Sequence, residues 1–142
     1  MNNPLPVFHF QVEWGGARVG FSEVTGLTDR VAAIEYREGS SPSPTPVLVP
    51  GLKAPVRVTL KRGLVAGDNE LYDWFKSIGI GAVERRDITI SLLDESHSPT
   101  MVWKLRDAWP TALEASDLNA RANEIAIESL DLVCEEMSRQ TS

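Results

Sequence analysis

Period-two alternation of apolar and polar residues recurs along this chain, and it excludes more folds than any other feature of the sequence. Phe8, Phe10, Val12 and Trp14 alternate with His9, Gln11 and Glu13, so an extended backbone turns one face inward and the other to water. Gly15-Gly16 then supplies a hairpin turn. A second strand is expected over 17–24, with Val19 and Phe21 inward and Arg18 and Ser22 outward, and a third over 31–38. Val56, Val58 and Leu60 alternate with Arg57, Thr59 and Lys61, and Ile88, Ile90 and Leu92 with Asp87, Thr89 and Ser91. Met101, Trp103 and Leu105 alternate with Val102, Lys104 and Arg106, and the segment 94–99 between the last two strands reads as a hairpin loop. The fold class is therefore mainly β.

One helix interrupts this pattern. Leu71, Trp74, Phe75 and Ile78 recur at helical spacing, Gly67-Asp68 offers an N-cap, and Gly79 is placed to end the helix, which makes a packing helix of about three turns. The segment 39–50 reads as a loop or extended arm: Ser40, Ser41, Pro42, Ser43, Pro44, Thr45 and Pro46 lack apolar periodicity, and the prolines remove ladder donors. The C-terminal third is two-sided. Ala126, Leu130, Val133 and Met137 fit a helix, Ile125 and Ile127 fit a strand, and by propensity the residues alone favour helix.

At 142 residues the chain suits one domain, 1–142. Size scaling gives a compact monomer of this length a folded surface of about 7,000 Å². No apolar stretch approaches the ~20 residues that span a bilayer, so the monomer is not expected to insert in a membrane. The N-terminus does not read as a secretory signal. A single cysteine, Cys134, excludes an internal disulfide, and no metal-binding spacing is present. His9 and His97, the only histidines, are 88 positions apart and read as two solvated imidazoles. No nucleophile elbow, dinucleotide fingerprint or PxxP ligand motif occurs. No catalytic residue, cofactor or metal is expected. The net charge is -6, and its placement is uneven: between Asp107 and Glu136 eight acids face one base, Arg121, for -7. A basic stripe at Lys53, Arg57, Lys61 and Arg62 falls short of what sequence-independent nucleic-acid binding shows.

The order of blocks carries a further reading. Pro4-Leu5-Pro6-Val7-Phe8-His9-Phe10, Trp14-Gly15-Gly16 and Gly20-Phe21-Ser22-Glu23-Val24-Thr25-Gly26-Leu27 resemble the start of the tail-tube proteins of contractile phage tails and related injection particles. Ile34-Glu35-Tyr36-Arg37-Glu38-Gly39, Pro50-Gly51-Leu52-Lys53, Val58-Thr59-Leu60-Lys61-Arg62-Gly63 and the Gly67 to Phe75 segment resemble its successive blocks. So do Arg85-Arg86-Asp87-Ile88-Thr89-Ile90 and Trp103 to Pro110, and the resemblance covers about residues 4–132.

The resemblance implies two antiparallel sheets forming a barrel-like sandwich with one packed helix, and six copies closing into a ring. It also makes the C-terminal segment a strand, against its propensity. Rings would stack into the inner tube of a contractile sheath, with length set by a tape-measure protein and with baseplate or initiator tube proteins as further partners. Cargo, either a protein effector or DNA, would occupy the lumen. Assembly would take place in the bacterial cytoplasm, and the product would be part of a phage tail or of a released or cell-anchored particle. The segment 39–50 would reach neighbouring subunits. Arg57, Lys61, Glu124 and Glu128 are the candidates for lumen-facing or sheath-facing charges, as is the Asp87/Thr89/Ser91 row. A ring protein of a type VI secretion system shares the expected fold. A small-ligand-binding β-barrel is the reading from another class, and an enzyme the most distant.

Overall fold

The computed structural model describes residues 4–7, 9–14, 17–40, 42, 44–79, 82–121 and 124–141. The expected turn at Gly15-Gly16 and the inward position of Phe8 lie outside them, as do Ser41 and Ser43 of the proline-rich segment.

Ten strands and one helix are present among the described residues. β1 (His9–Trp14), β2 (Ala17–Val19), β3 (Glu23–Thr25), β4 (Val31–Tyr36), β5 (Val47–Lys53) and β6 (Val56–Gly63) precede helix α1 (Glu70–Lys76). β7 (Arg86–Leu93), β8 (Pro99–Ala115), β9 (Ile127–Cys134) and β10 (Glu136–Thr141) follow it. Every pairing is antiparallel. The first sheet runs β2-β1-β7-β8-β10 and the second β3-β6-β9-β8.

β8 belongs to both sheets. Its first half pairs with β7 and β10, and from Trp109 onward it pairs with β9. Between the halves Asp107 takes a positive φ of 54°, a conformation that a non-glycine residue adopts only when its surroundings hold it there. The Asp87 carboxylate supplies one such constraint, accepting the Asp107 backbone N–H at 3.0 Å. Register shifts flank this corner, as expected where a strand bends from one sheet to another. The path does not close: β2 and β3 end it without pairing to each other, so the barrel-like sandwich is two sheets joined through one bent strand.

The core lies between the sheets. β6 buries Val56, Val58 and Leu60 as its alternation requires, and these face Cys134, Leu132 and Leu130 of β9 in direct register. β1 contributes Val12 and Trp14, and β7 contributes Ile88 and Ile90. On β8 both Leu105 and Val102 are buried, although alternation assigned Val102 outward: Val102 sits on the outer face between its lateral neighbours Ser91 of β7 and Gln140 of β10, while Lys104 and Arg106 on that face stay exposed.

Three expectations are corrected. The second strand is two short ones, β2 and β3, interrupted over residues 20–22. The helix is shorter than its spacing implied. It begins at Glu70, where Asp68 Oδ1 accepts the Glu70 backbone N–H at 3.1 Å, and its C-cap is Ser77, so Ile78 lies beyond it. Leu71 and Trp74 are buried, Phe75 and Ile78 half-buried.

The third correction is the C-terminal helix favoured by propensity: 127–141 forms β9 and β10. Its period of two was disguised. The inward row of β9 is Glu128, Leu130, Leu132 and Cys134, with a carboxylate at one inward position, while the opposite row carries the apolar Ile127 and Val133. Pairing with β6 on one side and β8 on the other overrides local preference.

Candidate functional site

β4 and β5 form a two-stranded sheet apart from the other eight strands. The expected arm over 39–50 therefore has a different construction. Val47–Pro50 are strand, and the connecting loop occupies 37–46. Pro50 lies opposite Ala33 beside a register shift, where its missing N–H is tolerated. Gly51 fits there because a Cβ would come within 3.0 Å of the Ala32 carbonyl oxygen.

Every residue of β4 is exposed, and so is every residue of β5 except the half-buried Gly51. Leu52 is 88% exposed and Leu48 63%, and Val31, Ile34, Tyr36 and Val47 are also in water. A lone two-stranded ribbon is marginal in water, and one with apolar residues on both faces calls for a cover. The whole chain exposes 10246 Å², well above the roughly 7,000 Å² of a compact monomer of this mass.

The outward row of β6 is polar. Thr59 donates to Asp131 Oδ1 at 2.8 Å, and Lys61 pairs with Glu23 of β3 at 3.5 Å. Arg57 is exposed on the same row. Glu124 is exposed in the segment that precedes β9. Glu128 is not a surface charge. It occupies the inward row of β9 opposite Arg62, its Oε1 accepts from Arg62 Nε at 2.6 Å, and both residues are 7% exposed. As a lumen-facing or sheath-facing candidate it is withdrawn: a buried carboxylate needs its partner, and here the partner is internal.

Arg62 Nη2 also donates to Asp68 Oδ1 at 3.2 Å, and the guanidinium stands 5.8 Å from the Phe21 ring centroid. The Glu70 backbone N–H, together with the Arg62 charge, holds the Asp68 carboxyl below its ordinary pKa of 3.8, against a smaller opposing effect of burial. Helix α1, which packs on β8, is tied down from the other side. Trp14 Nε1 donates to Glu70 Oε1 and Trp74 Nε1 to the Glu84 carbonyl oxygen, both at 2.9 Å. The Trp14 and Trp74 rings meet edge to face at 5.3 Å, with the Arg86 guanidinium 4.6 Å from the Trp74 ring.

Groups with chemical potential are few. Burial, helped by the Asp29 charge, pushes the Cys134 thiol up to about 11, the opposite of an activated nucleophile. His9 and His97 do not stand apart as their separation in sequence implied: the β7–β8 turn brings His97 against the start of β1, with ring centroids 4.7 Å apart. No group of three or more potential metal ligands occurs among the described residues. Among the described residues no helix is long and apolar enough to cross a membrane.

The exposed ribbon is thus the most distinctive feature among the described residues, and comparison with known proteins supplies the family. The family model for the T4-like virus tail tube protein gp19 matches residues 6–138. The chain belongs to that family. It is a structural protein of the tail-tube kind, and the resemblance read from its sequence blocks is the same one.

Among solved structures, a chain of the extracellular contractile injection system PVC, in its sheath-tube complex in the extended state, is 34% identical with a TM-score of 0.91. The match covers 98% of this chain and 93% of that one. A chain of the anti-feeding prophage cap, the AFP tube terminating cap, is 31% identical with a TM-score of 0.92, over 100% of this chain and 94% of that one. Hcp1 from Flavobacterium johnsoniae shares the fold at 13% identity and a TM-score of 0.63, over 95% and 97% of the two chains. A search of the curated proteins found no match.

What sequence reading missed in these surfaces is the strand β5 and the inward charge at Glu128. A signal existed for the first: Val47, Leu48, Val49 and Leu52 are an apolar run, broken by Pro50-Gly51.

Proposed function

We propose that six copies of this chain close into a ring and that rings stack into the inner tube of a phage tail-like contractile injection system, with a sheath outside and cargo in the bore. The observation that carries this reading is the β4–β5 ribbon, whose exposed apolar residues require a neighbouring subunit. A strand pair held out from the core reaches another copy at low entropic cost because its backbone is already ordered by pairing, and Pro42, Pro44 and Pro46 stiffen the chain around Ser40 and Thr45 that joins its strands.

Unpaired strand edges support the same reading. β2 and β3 each have one unpaired side, and subunits arranged in a ring protect such edges from uncontrolled pairing. The polar outward row of β6, with Thr59 and Lys61, suits a bore wall. Sheath, baseplate and terminator proteins are the natural partners, since the solved relatives above 30% identity come from a sheath-tube complex and a tube-terminating cap. Assembly in the bacterial cytoplasm and a tape-measure protein that sets length complete the proposal. The type VI reading is weaker, because its relative is only 13% identical.

Negative-stain electron microscopy of the purified protein tests this directly. Six-fold rings are expected, with stacked tubes when initiator proteins are added. A monomer that stays dispersed in the presence of baseplate or initiator partners overturns the proposal.

A further inference from the structure

The second sheet has two chemically opposite ends. β6 leaves the ribbon at Val56 and finishes at Gly63, so its length separates the ends by about 25 Å. At the first end the Ala54 backbone N–H donates to the Arg30 carbonyl oxygen at 2.8 Å. Gly26, at φ +90°, lies against the Arg57 backbone so closely that a Cβ would fall 2.3 Å from its carbonyl oxygen. These contacts place Arg30 and Arg57 around an open groove of about 360 Å³ lined also by Thr28, Ala54 and Pro55. One acid, Asp29, lies next to Arg30 in the chain. Glu135 and Glu136, which follow β9 at this end, are already paired with Arg85 and Arg106.

At the far end the Leu64 backbone N–H donates to Ala126 and the Ser116 N–H to Ile127, both at 2.8 Å, which holds the start of the β6–α1 connection against the β8–β9 loop. Glu114, Asp117 and Glu124 stand here with Arg121, and Lys61, beside Glu114, is already paired with Glu23. Between them Leu118 is 87% exposed and Ile125 78%. Among the described residues none of Arg30, Lys53, Arg57, Glu114, Asp117 and Glu124 has an ion-pair partner.

We propose that the β8–β9 loop of one copy, through Leu118 and Ile125 flanked by Asp117 and Glu124, seats in the Arg30/Arg57 groove of the next copy along the tube axis. This rests on the stacked-ring reading and adds to it the surface that receives the following ring. Unlike ends attract and like ends repel, so the contact is head-to-tail and does not close on itself, as a filament requires. The charges act only near contact, because screening at physiological salt leaves a reach of about 8 Å. A chain with net charge -6 can therefore stack despite the repulsion between whole layers.

The test reads rings and tubes separately. Asp117→Lys with Glu124→Lys leaves the ring mass unchanged by light scattering, while tubes disappear in electron micrographs. Arg30→Glu with Arg57→Glu does the same, and the chain carrying all four changes recovers tubes with itself. Independently, Pro55→Cys with Leu118→Cys cross-links copies under oxidation in tubes but not in isolated rings, with buried Cys134 as a silent background. Unaltered tubes in the reversal variants, loss of the rings themselves, or cross-linking within isolated rings each overturns the proposal. Absence of rings from the unaltered protein strikes the tube reading instead.

Discussion

Two antiparallel strand pairs in this molecule are built from similar residues and meet opposite fates. β6 and β9 pair over eight positions, and their inward row is dry: Val56 with Cys134, Val58 with Leu132, Leu60 with Leu130, and then Arg62 with Glu128. β4 and β5 pair with comparable aliphatic content, yet neither face is covered. The difference teaches that aliphatic strand residues do not by themselves locate the core. A pair becomes core when other strands and a helix flank it, and it stays in water when the chain holds it away from them. The first pair stabilises the subunit; the second is the pair to which the proposed tube assigns a neighbouring copy.

The largest expected effect tests the buried end of the first pair. Removing one partner, as in Glu128→Ala, takes away the 2.6 Å contact and leaves the buried Arg62 with only the longer contact to the partly exposed Asp68, which costs about 3–5 kcal/mol in urea unfolding. Replacing both partners, Arg62→Met with Glu128→Leu, recovers much of that loss. A mild effect of the single change would mean that the pair is solvated and the inward row ends at Leu60.

The comparison itself is tested by truncating one leucine in each pair. Leu130→Ala opens a cavity in the dry row and lowers stability by about 2–5 kcal/mol. Leu52→Ala, in the ribbon, changes monomer stability by less than about 0.5 kcal/mol, as surface substitutions do, while ring or tube formation is reduced. Equal losses in the two variants would show that the ribbon packs on the core in solution.

Deletion of residues 40–46 sharpens the same contrast. Circular dichroism is expected to show a folded domain, with assembly impaired in electron micrographs. Loss of folding would make the loop part of the core.

The smallest effect is on pH dependence. The folded-state pKa of Asp68 is depressed, so its contribution is present above the unfolded value and is lost as pH falls through the folded one. Asp68→Asn should therefore narrow the stability difference between neutral and acid conditions in thermal melts, leaving the acid limb nearly unchanged. Because the Asp68 side chain is 38% exposed, solvent screening keeps this change small.

Much of the first pair's surroundings was legible in the residues. β1, β6 and β7 follow from alternation, because a half-buried strand must place every second side chain in the core, and Leu71 and Trp74 mark the helix face for the same reason. β9 was hidden because its inward row contains Glu128, whose neutralising partner Arg62 is 66 positions earlier. β5 was hidden because Pro50-Gly51 interrupts an apolar run and because serine and proline dominate the residues before it. The pairing of His9 with His97 has no local signal, being made by a turn 88 positions from the strand it meets.

By itself, then, the sequence determined that this chain makes two-faced strands with one packing helix, carries no catalytic signature, and follows the block order of the tail-tube family. Those are properties of local spacing and residue chemistry. Only the tertiary structure decided that β8 bends at Asp107 to join the sheets, that Glu128 is internal, and that Arg30 and Arg57, which have no ion-pair partner among the described residues, line one groove at the start of β6. Each of these depends on contacts between residues far apart in the chain, and no local pattern encodes which distant partner offsets a buried charge or covers an apolar face.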